Sequence, residues 1–92
     1  MVTAIVMINA EVHKIPEVAE VIAQIPGVSE VYSTTGEFDM VAIVRVRAHE
    51  ELAEVIPGRV NKVSGVTGTH THIAFRTYSR HDLEAAFSIG VA

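Results

Sequence analysis

A short pattern occurs twice in this chain, and it limits the folds that the chain can adopt. Ile25-Pro26-Gly27-Val28-Ser29-Glu30-Val31 corresponds in residue type to Val63-Ser64-Gly65-Val66-Thr67-Gly68-Thr69. Each copy is an apolar helix tail, a glycine that stops the helix, and then a run rich in β-branched residues. Each copy also follows a segment with helical spacing. The repeated pattern therefore predicts a β-α-β unit that is used twice.

The spacing of apolar residues predicts four strands and two main helices. The first helix opens at Ile15-Pro16, with proline in its first turn, and Pro26-Gly27 ends it. The second begins near His49, and its apolar stripe continues to Val63. Pro57-Gly58 falls inside this helix, where we expect a kink or a brief break because proline removes a backbone hydrogen bond. Strands are predicted over residues 1–10, 28–35, 40–47 and 66–78, and a short terminal helix and a tail over residues 79–86 and 88–92.

This order of elements predicts an α+β fold, the ferredoxin-like β-α-β-β-α-β arrangement, with a four-stranded antiparallel sheet and two helices on one face. Residues 1–79 form the predicted domain, and residues 80–92 form a short C-terminal helix and tail. On the fourth strand, His70 and His72 belong to a polar face that we expect to point away from the helices. By analogy at the level of fold, this bare face is expected to pair with a second copy in a dimeric α/β barrel.

Charge and composition exclude several classes of function. The formal net charge is −4 and no basic stripe is visible, so DNA binding by this chain alone is not expected, because phosphate neutralisation supplies most non-specific affinity. The chain has no cysteine for a disulfide, a thiolate metal site or a redox site. The longest apolar run, Ala4 to Ile8, is far too short to span a bilayer, and no charged leader precedes it. We therefore expect a cytoplasmic protein with no membrane partner.

Three motifs follow one another between residues 2 and 78. They are Ile25-Pro26-Gly27-Val28 with Glu30-Val31-Tyr32, then Thr35-Gly36-Glu37-Phe38-Asp39, and then Gly65-Val66 with Thr69-His70-Thr71. Together they resemble the RAM domain, the ligand-binding domain of Lrp/AsnC transcription regulators. Those regulators carry an N-terminal helix-turn-helix, whereas this sequence starts at the first strand, so we expect a stand-alone version without direct DNA binding. The resemblance implies a homo-oligomer, a dimer or an octamer or decamer ring, and full-length Lrp/AsnC regulators as further partners.

The resemblance also implies a site for a small effector, an amino acid, at the turn from Gly36 to Asp39. The residues fit this chemistry, because Asp39 offers an anion for an ammonium group and the backbone around Gly36 offers N–H donors for a carboxylate. In the family the ligand lies between dimers and touches the fourth strand of a neighbour. The simpler alternative is a hairpin turn in which Asp39 caps its own backbone. The predicted site comprises Ser33, Thr35, Gly36, Glu37, Phe38, Asp39, Thr71, His72, Ile73 and Ala74.

Two other classes of function are weighed against effector binding. His70 and His72 alternate along a strand and point the same way, as metal ligands can, but the sequence shows no third ligand, and surface or interface histidines are the simpler interpretation. A small dimeric α/β-barrel enzyme, of the cofactor-free oxygenase or isomerase type, would place the two histidines with Arg76 and Tyr78 in its cavity. No nucleophile, base and acid can be assembled from their spacing. We therefore predict a non-catalytic module with no cofactor and no metal.

Overall fold

The computed structural model describes residues 1–78 and 80, which form one four-stranded antiparallel sheet with helices packed on one face. The spatial order of the strands is β2-β3-β1-β4, so β1 and β3 are central and β2 and β4 are edges. The predicted ferredoxin-like arrangement is confirmed. The strands are β1 (Val2–Ala10), β2 (Val28–Ser33), β3 (Met40–Val46) and β4 (Val66–Ile73); the helices are α1 (Ile15–Ala23) and α2 (Glu51–Val55), with single 3₁₀ turns at Val12–Lys14 and Val60–Lys62.

The core lies between one face of the central strands and the two helices. Side chains alternate across a strand, so every second residue of β1 and β3 points toward the helices, and these residues are buried. Val18 and Ile22 of α1 and Leu52 and Val55 of α2 pack against them. The opposite face of the sheet carries no helix in the part of the chain described here, so its central residues are covered only by their neighbours. No helix among residues 1–78 and 80 is long and apolar enough to cross a membrane.

Each helix places a valine against a glycine that precedes an edge strand. Gly27 follows α1 with φ +99°, and a Cβ added there would lie 2.9 Å from Cγ2 of Val55 in α2. Gly65 follows the 3₁₀ turn Val60–Lys62 with φ +102°, and a Cβ there would lie 2.7 Å from Cγ2 of Val18 in α1. Both the backbone direction and the lack of space therefore require glycine at these two positions. The repeated sequence pattern corresponds to a reciprocal contact between the two halves.

The same two glycines also join the halves through backbone hydrogen bonds. The N–H of Arg45, near the end of β3, donates to the carbonyl oxygen of Gly27 at 2.8 Å. The N–H of Glu11, directly after β1, donates to the carbonyl oxygen of Gly65 at 2.8 Å. The turn that follows each helix is thus bonded to the end of the strand that precedes the other helix.

The second helix is shorter than its apolar stripe. The helix α2 ends at Val55, before Pro57-Gly58, and helical geometry returns only as the 3₁₀ turn Val60–Lys62. The predicted break is confirmed, although the helix begins at Glu51 rather than near His49. A Cβ on Gly58 would overlap the carbonyl oxygen of Glu54, so only glycine fits this turn without a backbone shift.

The fourth strand is also shorter than predicted. It ends at Ile73 instead of continuing to Tyr78, and its last bond to β1 joins the N–H of Ala74 to the carbonyl oxygen of Thr3 at 2.9 Å. Within the described chain β4 has β1 as its single neighbour, and β1 starts at Val2, so residues after Phe75 have no strand to pair with. The predicted terminal helix (79–86) and tail (88–92) lie outside the described residues, apart from Arg80.

The reciprocal glycine contact predicts a graded response to alanine. Gly65→Ala adds a strained left-handed backbone and a clash with Val18, and should lower the free energy of unfolding by about 3 kcal/mol. Gly36→Ala, where φ is +97° and the space is open, should cost about 1 kcal/mol. Gly68→Ala, with no atom within 4 Å and no left-handed φ, should change it by less than about 0.5 kcal/mol. Urea unfolding at one fixed protein concentration measures the series, and equal effects at Gly65 and Gly68 would contradict it.

Candidate functional site

The hairpin between β2 and β3 forms the first part of the predicted site. Its ends are joined by a hydrogen bond from the N–H of Thr34 to the carbonyl oxygen of Asp39 at 3.0 Å. The hydroxyl of Thr34 also donates to the carbonyl oxygen of Phe38 at 2.9 Å. These bonds close a loop that contains Thr35, Gly36 and Glu37, all exposed. A Cβ on Gly36 would meet nothing within 4 Å, so a ligand can approach the loop backbone there.

Asp39 attaches this hairpin to the end of β1. Its Oδ2 atom accepts a hydrogen bond from the N–H of Ala10 at 2.9 Å, and its own N–H donates to the carbonyl oxygen of Ile8 at 3.0 Å. Ala10 lies two residues beyond Ile8, where the pairing of β1 with β3 ends, so a side chain satisfies the Ala10 N–H instead of a strand partner. The carboxylate therefore bonds to a distant strand, whereas the simpler interpretation had it cap its own turn.

The hairpin tip keeps several polar groups available. Within residues 1–78 and 80, the N–H groups of Gly36 and Glu37 and the Oδ1 atom of Asp39 make no hydrogen bond. The half-buried Phe38 packs edge-on against His70 of β4, with ring centroids 5.3 Å apart and planes at 62°. The tip thus offers N–H donors, one carboxylate oxygen and an aromatic wall. This combination suits a ligand that carries both a carboxylate and an ammonium group.

Two residues that support this tip were missing from the predicted site. Asn9 accepts a hydrogen bond from the N–H of Asp39 through Oδ1 at 3.2 Å. His70 was considered as a metal ligand, an interface residue or part of an enzyme cavity, yet it forms the ring contact with Phe38. The polar Asn9 at the end of a largely apolar strand is a sequence signal that could have indicated the first. The contact of His70 depends on how two strands lie in the sheet, and no local motif encodes it.

The predicted residues of β4 do not reach the hairpin within one chain. Ile73 is opposite Ala4 of β1, whereas Met40, next to the hairpin, is opposite Ile8. Four residues along a strand correspond to about 13 Å. The predicted residues of β4 are also divided between two faces of the sheet. His72 is opposite Ile5 on the open face, whereas its neighbours on either side point toward the helices.

On the helix side, Thr71 and Ile73 line a groove of about 330 Å³ between β4 and α2. Leu52, Ile56 and Pro57 form its other wall. The groove exists because α2 stops before Pro57, so it covers less of the sheet than a longer helix would. Most of its lining is apolar, and His49 and Glu50 are the ionisable residues that line it.

The open face of the sheet has an apolar centre and a polar rim. Ile5, Met7, Val41 and Ile43 form the centre on the two middle strands. At the rim, the hydroxyl of Tyr32 donates to Glu30 at 2.7 Å, and a guanidinium N–H of Arg45 donates to the same carboxylate at 3.4 Å. The Tyr32 bond, and after it the Arg45 bond, hold the pKa of Glu30 below its usual value. The same bond to the anion raises the pKa of the Tyr32 hydroxyl.

The histidines of β4 do not form a metal centre with other described residues. Among residues 1–78 and 80, no group of three His, Asp or Glu side chains is placed to hold a metal ion. His81, one of the third ligands that the sequence offered, lies outside the described residues. The other groups proposed for an enzyme cavity, Arg76 and Tyr78, are exposed beyond the end of β4. The arrangement therefore favours binding at the hairpin over chemistry at the histidines.

Comparison with known proteins identifies the family. Residues 3–83 match the Lrp/AsnC ligand binding domain. The chain belongs to this family. The predicted resemblance to the RAM domain is thereby confirmed, and the curated relatives of this Lrp/AsnC domain are transcriptional regulators.

Three similar proteins show how far the likeness extends in sequence and in structure. The HTH-type transcriptional regulator FL11 of Pyrococcus horikoshii is 37% identical over 75 residues, which are 82% of this chain and 49% of the regulator. The chain thus spans about half the length of this relative. TTHA0845 of Thermus thermophilus has a TM-score of 0.81 and 42% identity, covering 87% of this chain and 100% of that one. The regulator NMB0573 of Neisseria meningitidis, solved as a complex with L-Met, has a TM-score of 0.76 at 14% identity over 86% and 53% of the two chains, which shows a shared fold.

The bond between Asp39 and Ala10 predicts that two variants of Asp39 behave differently. Asp39→Ala leaves the N–H of the buried Ala10 without an acceptor and should cost about 1–3 kcal/mol of unfolding free energy. Asp39→Asn keeps an amide oxygen as acceptor and should retain most of the stability. Hydrogen exchange at the Ala10 amide measures the difference. Glu37→Ala, in the same exposed loop, is the matched control, and equal protection of Ala10 in all three variants would show that the bond contributes nothing.

Proposed function

We propose that this Lrp/AsnC domain binds a small amino acid effector at the hairpin and acts by assembling with further copies of itself. The observation that carries the proposal is the juxtaposition of N–H groups at Gly36 and Glu37 with Oδ1 of Asp39, none of which has a hydrogen-bond partner among the described residues. An amino acid zwitterion needs both kinds of group, and its carboxylate accepts hydrogen bonds from backbone N–H groups that no side chain blocks. Support also comes from the fold shared with the NMB0573 regulator, which was solved with L-Met.

A second chain is needed to complete such a pocket. The β4 residues expected to contact the ligand do not form one surface with the hairpin of their own chain, because Ile73 lies four residues along the sheet from it and His72 is on the other face from Thr71 and Ile73. In this proposal the neighbour's β4 supplies them, so the ligand is bound where copies meet. By mass action, a ligand bound at such a junction stabilises the assembly that forms the pocket. Assembly in turn raises the affinity for the ligand by the same factor by which the ligand raises the affinity between copies.

The open face supplies the first contact between copies. Burial of its apolar centre contributes favourable free energy to association; the centre consists of Ile5, Met7, Val41 and Ile43. The ion pair of Glu30 and Arg45 at the rim favours one register between the two copies. Assembly into larger rings, a partnership with full-length regulators and a stand-alone role remain predictions that rest on the resemblance.

Amino acid binding predicts a thermal shift that depends on the Asp39 charge. Across a panel of the twenty L-amino acids, the effector should stabilise the chain by about 2.7 kcal/mol at a hundred times its Kd, seen as a higher Tm. Asp39→Asn should weaken this binding about tenfold, because it removes the anion while keeping the acceptor for Ala10. Glu20→Gln, which removes an exposed charge on α1, is the control. A panel in which no amino acid changes Tm or oligomer size would contradict the proposal.

Assembly through the open face predicts that one charge at its centre is enough to separate the copies. Ile5 is 36% exposed on the open face, and Val21 is 52% exposed on the outside of α1. Ile5→Lys should yield monomers at micromolar concentration, because the new ammonium group would be buried without a partner. Val21→Lys should leave the assembly unchanged. Sedimentation velocity measures both, with circular dichroism as the check on folding, and a monomeric unmodified chain would end the proposal.

A further inference from the structure

A charged cleft lies at the end of the sheet opposite the hairpin. It encloses about 710 Å³ between the end of β3, the start of β2 and the helix α2. Its lining includes the apolar Gly27, Val46 and Val55, which are fixed in place because Val46 and Val55 pack around the Gly27 backbone. None of the residues predicted for the effector site lines this cleft.

The polar lining of the cleft carries both signs of charge. Arg45, Arg47 and Arg59 line it, which is notable in a chain with seven Lys and Arg residues and a net charge of −4. Glu51 and Glu54 of α2 line it as well. Arg45 is paired with Glu30 on the open face, at 3.4 Å. Across residues 1–78 and 80, none of the other four charged side chains has an ion-pair partner within 4.0 Å.

The break in the second helix determines where Arg59 lies. The N–H of Arg59 still bonds to the carbonyl oxygen of Val55 at 3.2 Å, but its φ of −129° takes the chain out of the helix at this point. Gly58 is required for this turn because a Cβ there would overlap the carbonyl oxygen of Glu54. Pro57-Gly58, which the hairpin site does not explain, therefore holds a guanidinium group at the cleft.

We propose that this cleft is a second binding site, for a small zwitterion with an aliphatic body, the chemical class of the apolar α-amino acids. Arg47 and Arg59 bind its carboxylate, since guanidinium groups form charge-assisted and bidentate hydrogen bonds with carboxylates. Glu51 and Glu54 bind its ammonium group. Two unpaired cations with two unpaired anions disfavour a ligand of one sign, which would meet like charge on one wall. The site does not depend on the effector site at the hairpin.

The test is a titration of the ¹⁵N-labelled full chain with L-leucine and two analogues that each lack one charge. These are 4-methylpentanoate, without the ammonium group, and isopentylamine, without the carboxylate. The amides of Gly27 and Arg59 report on the cleft, and the amide of Gly36 reports on the hairpin. We expect leucine to shift the cleft amides with a Kd about tenfold lower than either analogue, because each analogue leaves one pair of side chains without a partner. Arg59→Gln and Arg47→Gln should each weaken leucine binding about tenfold, and Lys62→Gln, an exposed cation outside the cleft, should not change it.

Several outcomes would overturn this second site. Equal affinities for the three probes, or leucine binding that neither arginine variant changes, would show that the cleft is a solvated charged surface. Leucine shifts at Gly36 alone would overturn the cleft and support the effector site at the hairpin. Shifts at Gly27 and Arg59 alone would support the cleft and count against leucine binding at the hairpin. A change of sedimentation in Arg59→Gln with no change in leucine affinity would show that these charges join copies of the chain, which also contradicts the proposal.

Discussion

The fold depends on one contact that is made twice, a valine of each helix against the glycine that precedes an edge strand. Gly27 leads into β2 and Gly65 leads into β4, and these are the two edge strands of the sheet. Val55 and Val18 leave no room for a side chain at these glycines, so each helix fixes the point where the opposite edge strand begins. The central strands β1 and β3 fill the core between them. Both edges are therefore positioned by the two helices, and within the described part of the chain no helix covers the opposite face.

The hairpin site lies where this apolar core ends, and it is held by polar bonds. The loop from Thr35 to Phe38 contributes nothing to the buried core; its place is set by Asp39, which bonds to the N–H of Ala10 at the end of β1. One oxygen of the Asp39 carboxylate has this structural role, and the other is the one proposed to bind a ligand. Neutralising or deleting this side chain therefore affects stability and binding in different proportions, which is why an amide and an alanine are not equivalent at this position.

Much of the fold could be predicted from the sequence because it is determined by local chemistry. The two glycine stops, the break at Pro57-Gly58 and the alternation that directs His70 and His72 away from the helices all have local signals. The end of β4 had no local signal, because it depends on the partner strand β1. The bond from Asp39 to Ala10 spans 29 residues and depends on where the pairing of β1 with β3 ends, which a local pattern does not encode. The resemblance assigned Thr71 to Ala74 to a neighbouring chain's contact with the ligand, which the sequence itself does not specify.

The geometry also suggests why an effector at the hairpin would act on assembly. Asp39 is bonded to Ala10 at one end of β1, and the same strand places Ile5 and Met7 at the centre of the open face. The effector site and the face proposed to meet a second copy are thus joined by a few residues of one strand, and Phe38 against His70 links the hairpin to the edge strand of that face. Since a ligand shifts an equilibrium only through its different affinity for the two states, a pocket completed by a neighbour supplies that difference directly. No rearrangement of the core is required for the two events to be coupled.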